Sequence, residues 1–414
     1  MAIEAATIRA RCVNAALPIA PTAQPHPRQR QTSPQYGPFQ LTSALFSPIR
    51  LGVLELANRI VISPMCQYSA VDGSAQDWHL IHLGQLAMSG AGLMFIEATA
   101  VSAAGRITPG YLGLYSDDNE AALARVLKAV RPHANTRIGM QIAHAGRKAS
   151  SREPWNGGQL IPLGEPDAWL PAGPSALSHM PGEAPVHEMT QAEIKDMVGQ
   201  FVATAQRADR LGIEALELHG AHGYLLHSFL SPVANQRTDE YGSTLENRMR
   251  LTLEVFDAVR KVWPADKPLG VRISASDWVE GGWDVEQSIA LAKALHARGC
   301  NWVDCSSGGV APALQKITLG PGYQVPFAEA IRKAVPGMPI IAVGLITDPQ
   351  QAEEIVASGK SDMVALARGM LYNPRWPWHA AATLGASVSA PQQYWRCAPR
   401  EFPDVLGKVK TGQR

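Results

Sequence analysis

The chain has 414 residues, 46% of them hydrophobic and 18% charged, with a formal net charge of +1. That composition can bury a large core, and its near-zero charge excludes a long-range pull toward nucleic acid or an anionic membrane. No apolar run approaches the roughly 18 residues of a membrane helix, and five cysteines (Cys12, Cys66, Cys300, Cys305, Cys397) form no C-x-x-C pair, which suits reduced thiols in a cytoplasmic setting.

In chain order, residues 1–44 are rich in proline, nearly free of acid and without a sustained apolar period. They read as a disordered arm, a targeting segment or a start assigned too far upstream. Ile49–Ala57, ahead of the first strand, reads as a short hairpin closing the barrel bottom. From Arg59 onward eight apolar runs follow: Arg59–Met65, Leu93–Val101, Arg137–Ala143, Ala215–His219, Leu269–Ser274, Trp302–Ser306, Pro339–Gly344 and Met363–Arg368. Helical punctuation lies between them. Thr190-Gln-Ala-Glu193 has the form of a capping box, Asp284 precedes a helix that stops near Gly299, and Asp348-Pro349 opens one that Gly359 closes.

Strand and helix alternating eight times imply parallel strands with crossovers, and eight is the number that closes. The fold class is therefore α/β, a single (β/α)8 TIM barrel over residues 45–385, with residues 386–414 as a C-terminal tail. An open doubly wound sheet is the alternative, but no G-x-G-x-x-G or P-loop follows the first strand. From Arg147 to Val186 the chain is rich in Pro, Gly, Ser and Trp, a loop long enough to cap a site after strand three.

Polar residues collect at the carboxyl ends of these strands, where a barrel builds its site. Glu217-Leu-His-Gly-Ala-His-Gly-Tyr224 is the most informative stretch: an apolar run stops at two imidazoles and a phenol. His219 and His222 can grip one oxygen and Tyr224 can deliver a proton nearby. Gln141, His144, Arg147 and Lys148 end strand three. Gly344 and Arg368 follow strands seven and eight, where barrels commonly hold a phosphate. Arg272, inside an apolar strand, needs an anionic or strongly accepting partner, for which a flavin pyrimidine ring is suited, with Gln141 at the ring edge. His79 and His82 read as packing or surface residues of a helix, and Arg237, Asp239 and Glu246 as structural.

Seven motifs carry a family resemblance: Ser63-Pro-Met-Cys-Gln-Tyr68, Gln141-Ile-Ala-His-Ala-Gly-Arg-Lys148, His219-Gly-Ala-His-Gly-Tyr224, Ser231-Pro-Val-Ala-Asn-Gln-Arg-Thr-Asp-Glu-Tyr-Gly242, Glu246-Asn-Arg248, Arg272-Ile-Ser-Ala-Ser-Asp-Trp278 and Pro321-Gly-Tyr-Gln-Val-Pro-Phe327. In this order, from about Leu45 to Thr383, the chain resembles the Old Yellow Enzyme family of FMN-dependent ene-reductases, its thermophilic-like subclass most closely. The resemblance implies FMN as cofactor, NADPH or NADH as reductant, a small activated alkene as substrate, and a homodimer or homotetramer. It implies that Ser63, Pro64, Met65, Cys66, Ala98, Gln141, Arg272, Gly344, Ala367 and Arg368 hold FMN. It implies that Tyr68, His219 and His222 hold substrate, that Tyr224 donates the proton, and that Arg396 enters a neighbouring subunit's site. Two motifs depart from the family: Tyr241-Gly-Ser-Thr244 has Ser243 in place of a glycine, and Ala367-Arg368 has an alanine where glycine is usual.

Two other readings compete with this one. A metal-dependent hydrolase on the same barrel would use His219 and His222 as ligands, with His144 the nearest further imidazole. A flavin-binding sensor would keep the cofactor without turnover.

Overall fold

The computed structural model describes residues 43–408; the arm read from the sequence over residues 1–44 lies outside them except for its last two residues, Ser43 and Ala44, which bond the Glu353 carboxylate. Eight parallel strands form a closed barrel: β1 (Ile60–Ile62), β2 (Leu93–Ala100), β3 (Arg137–Ala143), β4 (Ala215–Gly220), β5 (Leu269–Ser274), β6 (Val303–Ser306), β7 (Ile340–Val343) and β8 (Met363–Leu366). They pair in sequence order, and β8 closes on β1. Each run read as a strand is one. The first is shorter than its apolar run because Pro64 has no N–H for the ladder and the chain leaves the wall after Ser63.

Helices cover the barrel where the capping residues start them. Ser116, Thr190, Thr244, Asp284 and Asp348 each accept a backbone N–H of the first turn, and Thr190 and Glu193 make the reciprocal box. Residues of one strand parity (Met140 and Ile142, Leu216 and Leu218, Val271 and Ile273) pack outward against these helices in the main apolar core.

The other parity faces the barrel axis and changes character from bottom to top. At the amino end Leu93, Phe95, Trp302, Ile341 and Met363 fill the lumen. The antiparallel pair Ile49–Leu51 and Leu54–Leu56 caps that end and adds Leu51 and Leu56 to the same cluster. The Trp302 indole lies where a Cβ on Gly270 would come within 2.0 Å of it, so that strand position requires glycine. Above this floor the inward residues become polar: Gln141 on β3, Glu217 and His219 on β4, Arg272 on β5, Asp304 and Ser306 on β6. The barrel is thus greasy below and charged above, and the charge faces one mouth.

The long connection after β3 contains a single-turn 3-10 helix (Pro154–Asn156) and a two-residue parallel pair, Ala172–Gly173 with His187–Glu188. Arg147, buried, ties it across the mouth by donating to Ser178 O and Val310 O. Arg237 pins its exit through Asp239, Pro174 O and Met189 O, which bears out a structural role for that arginine. His79 and His82 are both buried on the helix Asp77–Ala87, where His79 takes the Gln76 N–H and lies 3.5 Å from Glu97. Beyond residue 386 the tail folds back, with Val388 and Val405 joined by a backbone hydrogen bond and packed against Ala381. No described helix is long and apolar enough to cross a membrane.

Candidate active site

The β4 end is built tightly. His219 faces inward by its place on β4, and His222, at φ +59 with Gly223 at φ +75, comes back beside it. A Cβ on Gly223 would meet Gly309 O at 2.2 Å, so only glycine fits that approach. Ser274 Oγ accepts the His222 backbone N–H at 2.9 Å. His227 Nδ1 accepts the Gly223 N–H at 2.8 Å, and its Nε2 faces the buried Asp277 carboxylate at 2.9 Å. The loop is therefore held by its backbone, independently of either imidazole.

His219 Nε2 and His222 Nδ1 are 3.3 Å apart, and His222 Nε2 is 2.7 Å from Ser306 Oγ. The Tyr224 ring stands edge-on to His219, with centroids 5.0 Å apart. Burial first, then the positive charge of Arg272, pushes both imidazoles well below the ordinary histidine range, so each is neutral near pH 7. Burial, with the neighbouring Cys66 next, raises the Tyr224 phenol well above its usual value and keeps its proton in place. Lys148 donates to His222 O at 2.8 Å and lies 4.5 Å over the Tyr224 ring.

On the other side of the mouth, Cys66 lies beside the phenols of Tyr68 and Tyr111 and the backbone of Ala98. Desolvation, then Glu97, pushes its thiol up to about 12, so it is protonated and apolar rather than nucleophilic. Tyr68 adopts φ +49 and meets Trp155 of the long loop edge-on at 5.9 Å. A cleft of about 880 Å³ opens between Tyr68, Tyr224, Lys148 and that loop.

Lower in the lumen, Gln141 Nε2 donates to Glu217 Oε1 at 2.8 Å and Trp302 Nε1 to Glu217 Oε2 at 2.9 Å. Arg272 Nε lies 3.3 Å from Asp304 Oδ2 without hydrogen-bond alignment. Burial, then the nearby Asp304 charge, raises the Glu217 carboxyl, and burial raises Asp304. A second cleft, about 170 Å³, runs past Arg272, Ser306, Gln324, Gly344, Ala367 and Arg368, after β7 and β8. Gly344 there has φ +131, and a Cβ would meet Gln324 Nε2 at 2.9 Å.

These features fit FMN. Ser63 Oγ, His219 Nδ1 and Arg272 Nε are buried polar atoms without a protein partner, and a flat heterocycle with carbonyl and N–H edges can satisfy such atoms. The side cleft after β7 and β8, with a glycine and an arginine, suits a phosphate.

Of the residues read from the sequence, Ser63, Gln141, His219, His222, Tyr224 and Arg272 converge on this mouth, with Tyr68, Cys66 and Ala98 at its rim and Gly344, Ala367 and Arg368 in the side cleft. Pro64 and Met65 lie in the irregular segment between Ser63 and Cys66. Arg396 lies exposed on the tail, in the 3-10 helix Gln392–Cys397, and lines neither cleft. His144 accepts the Gly146 N–H and is a buried structural residue, pushed down to about 4 by burial. Sequence reasoning gave no role to Ser306, Gln324, His227 or Asp277; Ser306, Gln324 and Asp277 lie within quoted motifs or strands and His227 three residues beyond one, and no spacing singles any of them out. Among the described residues no group of three or more His, Cys, Asp or Glu side chains is arranged to hold a metal ion.

Comparison with known proteins agrees with this architecture. The profile of the NADH:flavin oxidoreductase / NADH oxidase family matches residues 44–386. The NADPH dehydrogenase of Geobacillus sp. (strain WCH70) is 44% identical over 358 residues, 86% of this chain and 99% of that protein. Among solved structures, morphinone reductase in complex with tetrahydroNAD superposes with a TM-score of 0.68 at 28% identity, covering 86% of this chain and 93% of that one. A 2-naphthoyl-CoA reductase in complex with 2-naphthoyl-CoA superposes with a TM-score of 0.73 at 26% identity; 83% of this chain matches 52% of that longer one. The chain belongs to the NADH:flavin oxidoreductase / NADH oxidase family, the Old Yellow Enzyme family that its motifs resemble.

Proposed function

We propose that this flavin oxidoreductase is an ene-reductase, using NAD(P)H to saturate the C=C bond of α,β-unsaturated carbonyl or nitro compounds. The observation that carries the reading is the pair of neutral imidazoles with inward nitrogens 3.3 Å apart, beside a buried, protonated phenol. When bound, FMN would supply the hydride-relay chemistry between NAD(P)H and the alkene.

The residues of the chain do the rest. His219 and His222 hydrogen-bond the carbonyl or nitro oxygen and stabilise the negative charge that grows there. Their neutrality matters, because each can donate without giving up its proton. Tyr224 protonates the α carbon, and Lys148 above its ring fixes the ring's tilt. Tyr68 closes the substrate from the far side, with Trp155 behind it. Ser63, Pro64, Met65, Cys66, Ala98, Gln141, Arg272, Gly344, Ala367 and Arg368 hold FMN. Gln141 is oriented from below by Glu217, so its amide presents a fixed edge. Arg396 reaches the site of a second copy in a homo-oligomer.

His219→Ala is expected to lower kcat for cyclohexenone, per bound FMN, by about a hundredfold. Reduction at the wild-type rate would refute the oxygen-gripping role. The absorption spectrum tests the reaction itself: oxidised-flavin bands that bleach with NADPH and return on adding an enone are the expected result.

A further inference from the structure

Four side chains form one hydrogen-bonded line from the substrate side to the side cleft. His219 Nε2 is 3.3 Å from His222 Nδ1, His222 Nε2 is 2.7 Å from Ser306 Oγ, and Ser306 Oγ is 3.4 Å from Gln324 Oε1. A neutral imidazole has one N–H and one lone pair, whereas a hydroxyl can donate or accept. The line can therefore run in two directions. In one, His219 donates to His222, His222 to Ser306, and Ser306 to Gln324. In the other, Ser306 donates to His222 Nε2, and the His222 proton sits on Nδ1, facing His219.

Only the second direction lets His222 donate inward, and a two-donor grip on an oxygen requires it. The geometry favours the reversal. Gln324 Oε1 already accepts from Ser307 Oγ at 2.6 Å, so it loses little when the longer 3.4 Å contact from Ser306 is withdrawn. Ser306 is only 4% exposed, so water does not compete freely for the imidazole. The His222 backbone is pinned by Ser274, which in turn donates to Gly308 O, so the ring stays in reach of Ser306.

We propose that Ser306 is a positioning residue for the oxygen grip: its hydroxyl turns to donate to His222 Nε2 when a substrate oxygen arrives between the imidazoles, and so fixes His222 as the Nδ1–H tautomer. This inference rests on the reading of His219 and His222 as oxygen ligands. It assigns the serine a task that neither a methyl group nor a pure acceptor can perform, because the same atom has to accept in one state and donate in the other.

The test uses the flavin-loaded, 15N-histidine-labelled protein saturated with para-nitrophenolate, an anionic oxygen that stands in for the enolate. The imidazole 15N shifts report which nitrogen carries the proton. The expected result is a protonated Nδ1 and an unprotonated Nε2 on His222; a protonated Nε2 in the complex overturns the proposal. Ser306→Ala should bind the phenolate about tenfold more weakly, because a buried lone pair loses its partner, and Ser306→Thr should restore affinity. Equal affinity in the alanine variant also overturns it. Should that variant lose its flavin, the wild-type tautomer and the threonine variant decide alone. A protein that binds phenolate through the expected tautomer yet reduces no enone sinks the proposed reaction and leaves this inference standing.

Discussion

Lys148 shows how a single side chain tunes the site without touching the reacting atoms by any visible bond. It donates to His222 O and lies 4.5 Å over the Tyr224 ring. Burial first, then Arg147, brings its ammonium down to about 8. Its charge is present below that value and lost above it, so the hold on the phenol ring weakens as pH rises through 8. We expect kcat/KM for cyclohexenone to fall on the alkaline side near pH 8, and the fall to be absent in Lys148→Met; the two pH profiles check it. The imidazole pair should contribute no step near pH 6.5, since both groups titrate well below it. At this scale the sequence was readable where residue type is unusual for its place. Two histidines ending an apolar run stand out, but a lysine beside an arginine does not reveal that it points inward. Ser243, the replacement for the family's glycine, keeps the turn at φ +66 and bonds Arg237 O at 3.1 Å, a compensation that only the coordinates reveal.

The loop from β4 into the short helix Leu225–Leu230 is the element on which the proposed chemistry depends. His227 and Asp277, both fully buried, grip it at Gly223, one residue before Tyr224. Asp277 also accepts from Ser231 Oγ and the Trp283 N–H, so three groups meet on one carboxylate. Removing His227 leaves Asp277 Oδ1 and the Gly223 N–H buried without the group that faces them. His227→Ala should therefore lower the unfolding free energy by about 3–5 kcal/mol, measured by urea titration, and should slow the Tyr224 proton step even where the protein remains folded. The strands and capped helices were legible because periodicity and caps act locally. The shift of register within β2, between Ile96 and Thr99, was not. It arises where Glu97 takes the Gln67 N–H and faces His79, a demand set by distant neighbours.

The whole barrel divides into a greasy lower half and a charged upper half, and Trp302 sits at the boundary. Its ring packs with Phe95 and Ile341, while its Nε1 donates to Glu217. Trp302→Ala should cost about 3–5 kcal/mol and should also weaken FMN retention, since Glu217 then holds Gln141 with one oxygen unsatisfied; denaturant unfolding and flavin release on dilution read the two effects separately. Eight strands and one chemical mouth followed from counting and from where polar residues fell. The hairpin below was legible too, but the part Trp302 plays in the floor was not, because a tryptophan at a strand start looks the same whether it points to the lumen or to a helix.

The hairpin at Ile49–Leu56, with Leu51 and Leu56 driven into the lumen, stoppers the amino end of the barrel. A vessel sealed below has one doorway, and whatever comes to His219 must depart by the route it used. In the proposed reaction, reductant and alkene thus cannot file past one another; each must vacate before its successor is admitted, and traffic is by turns.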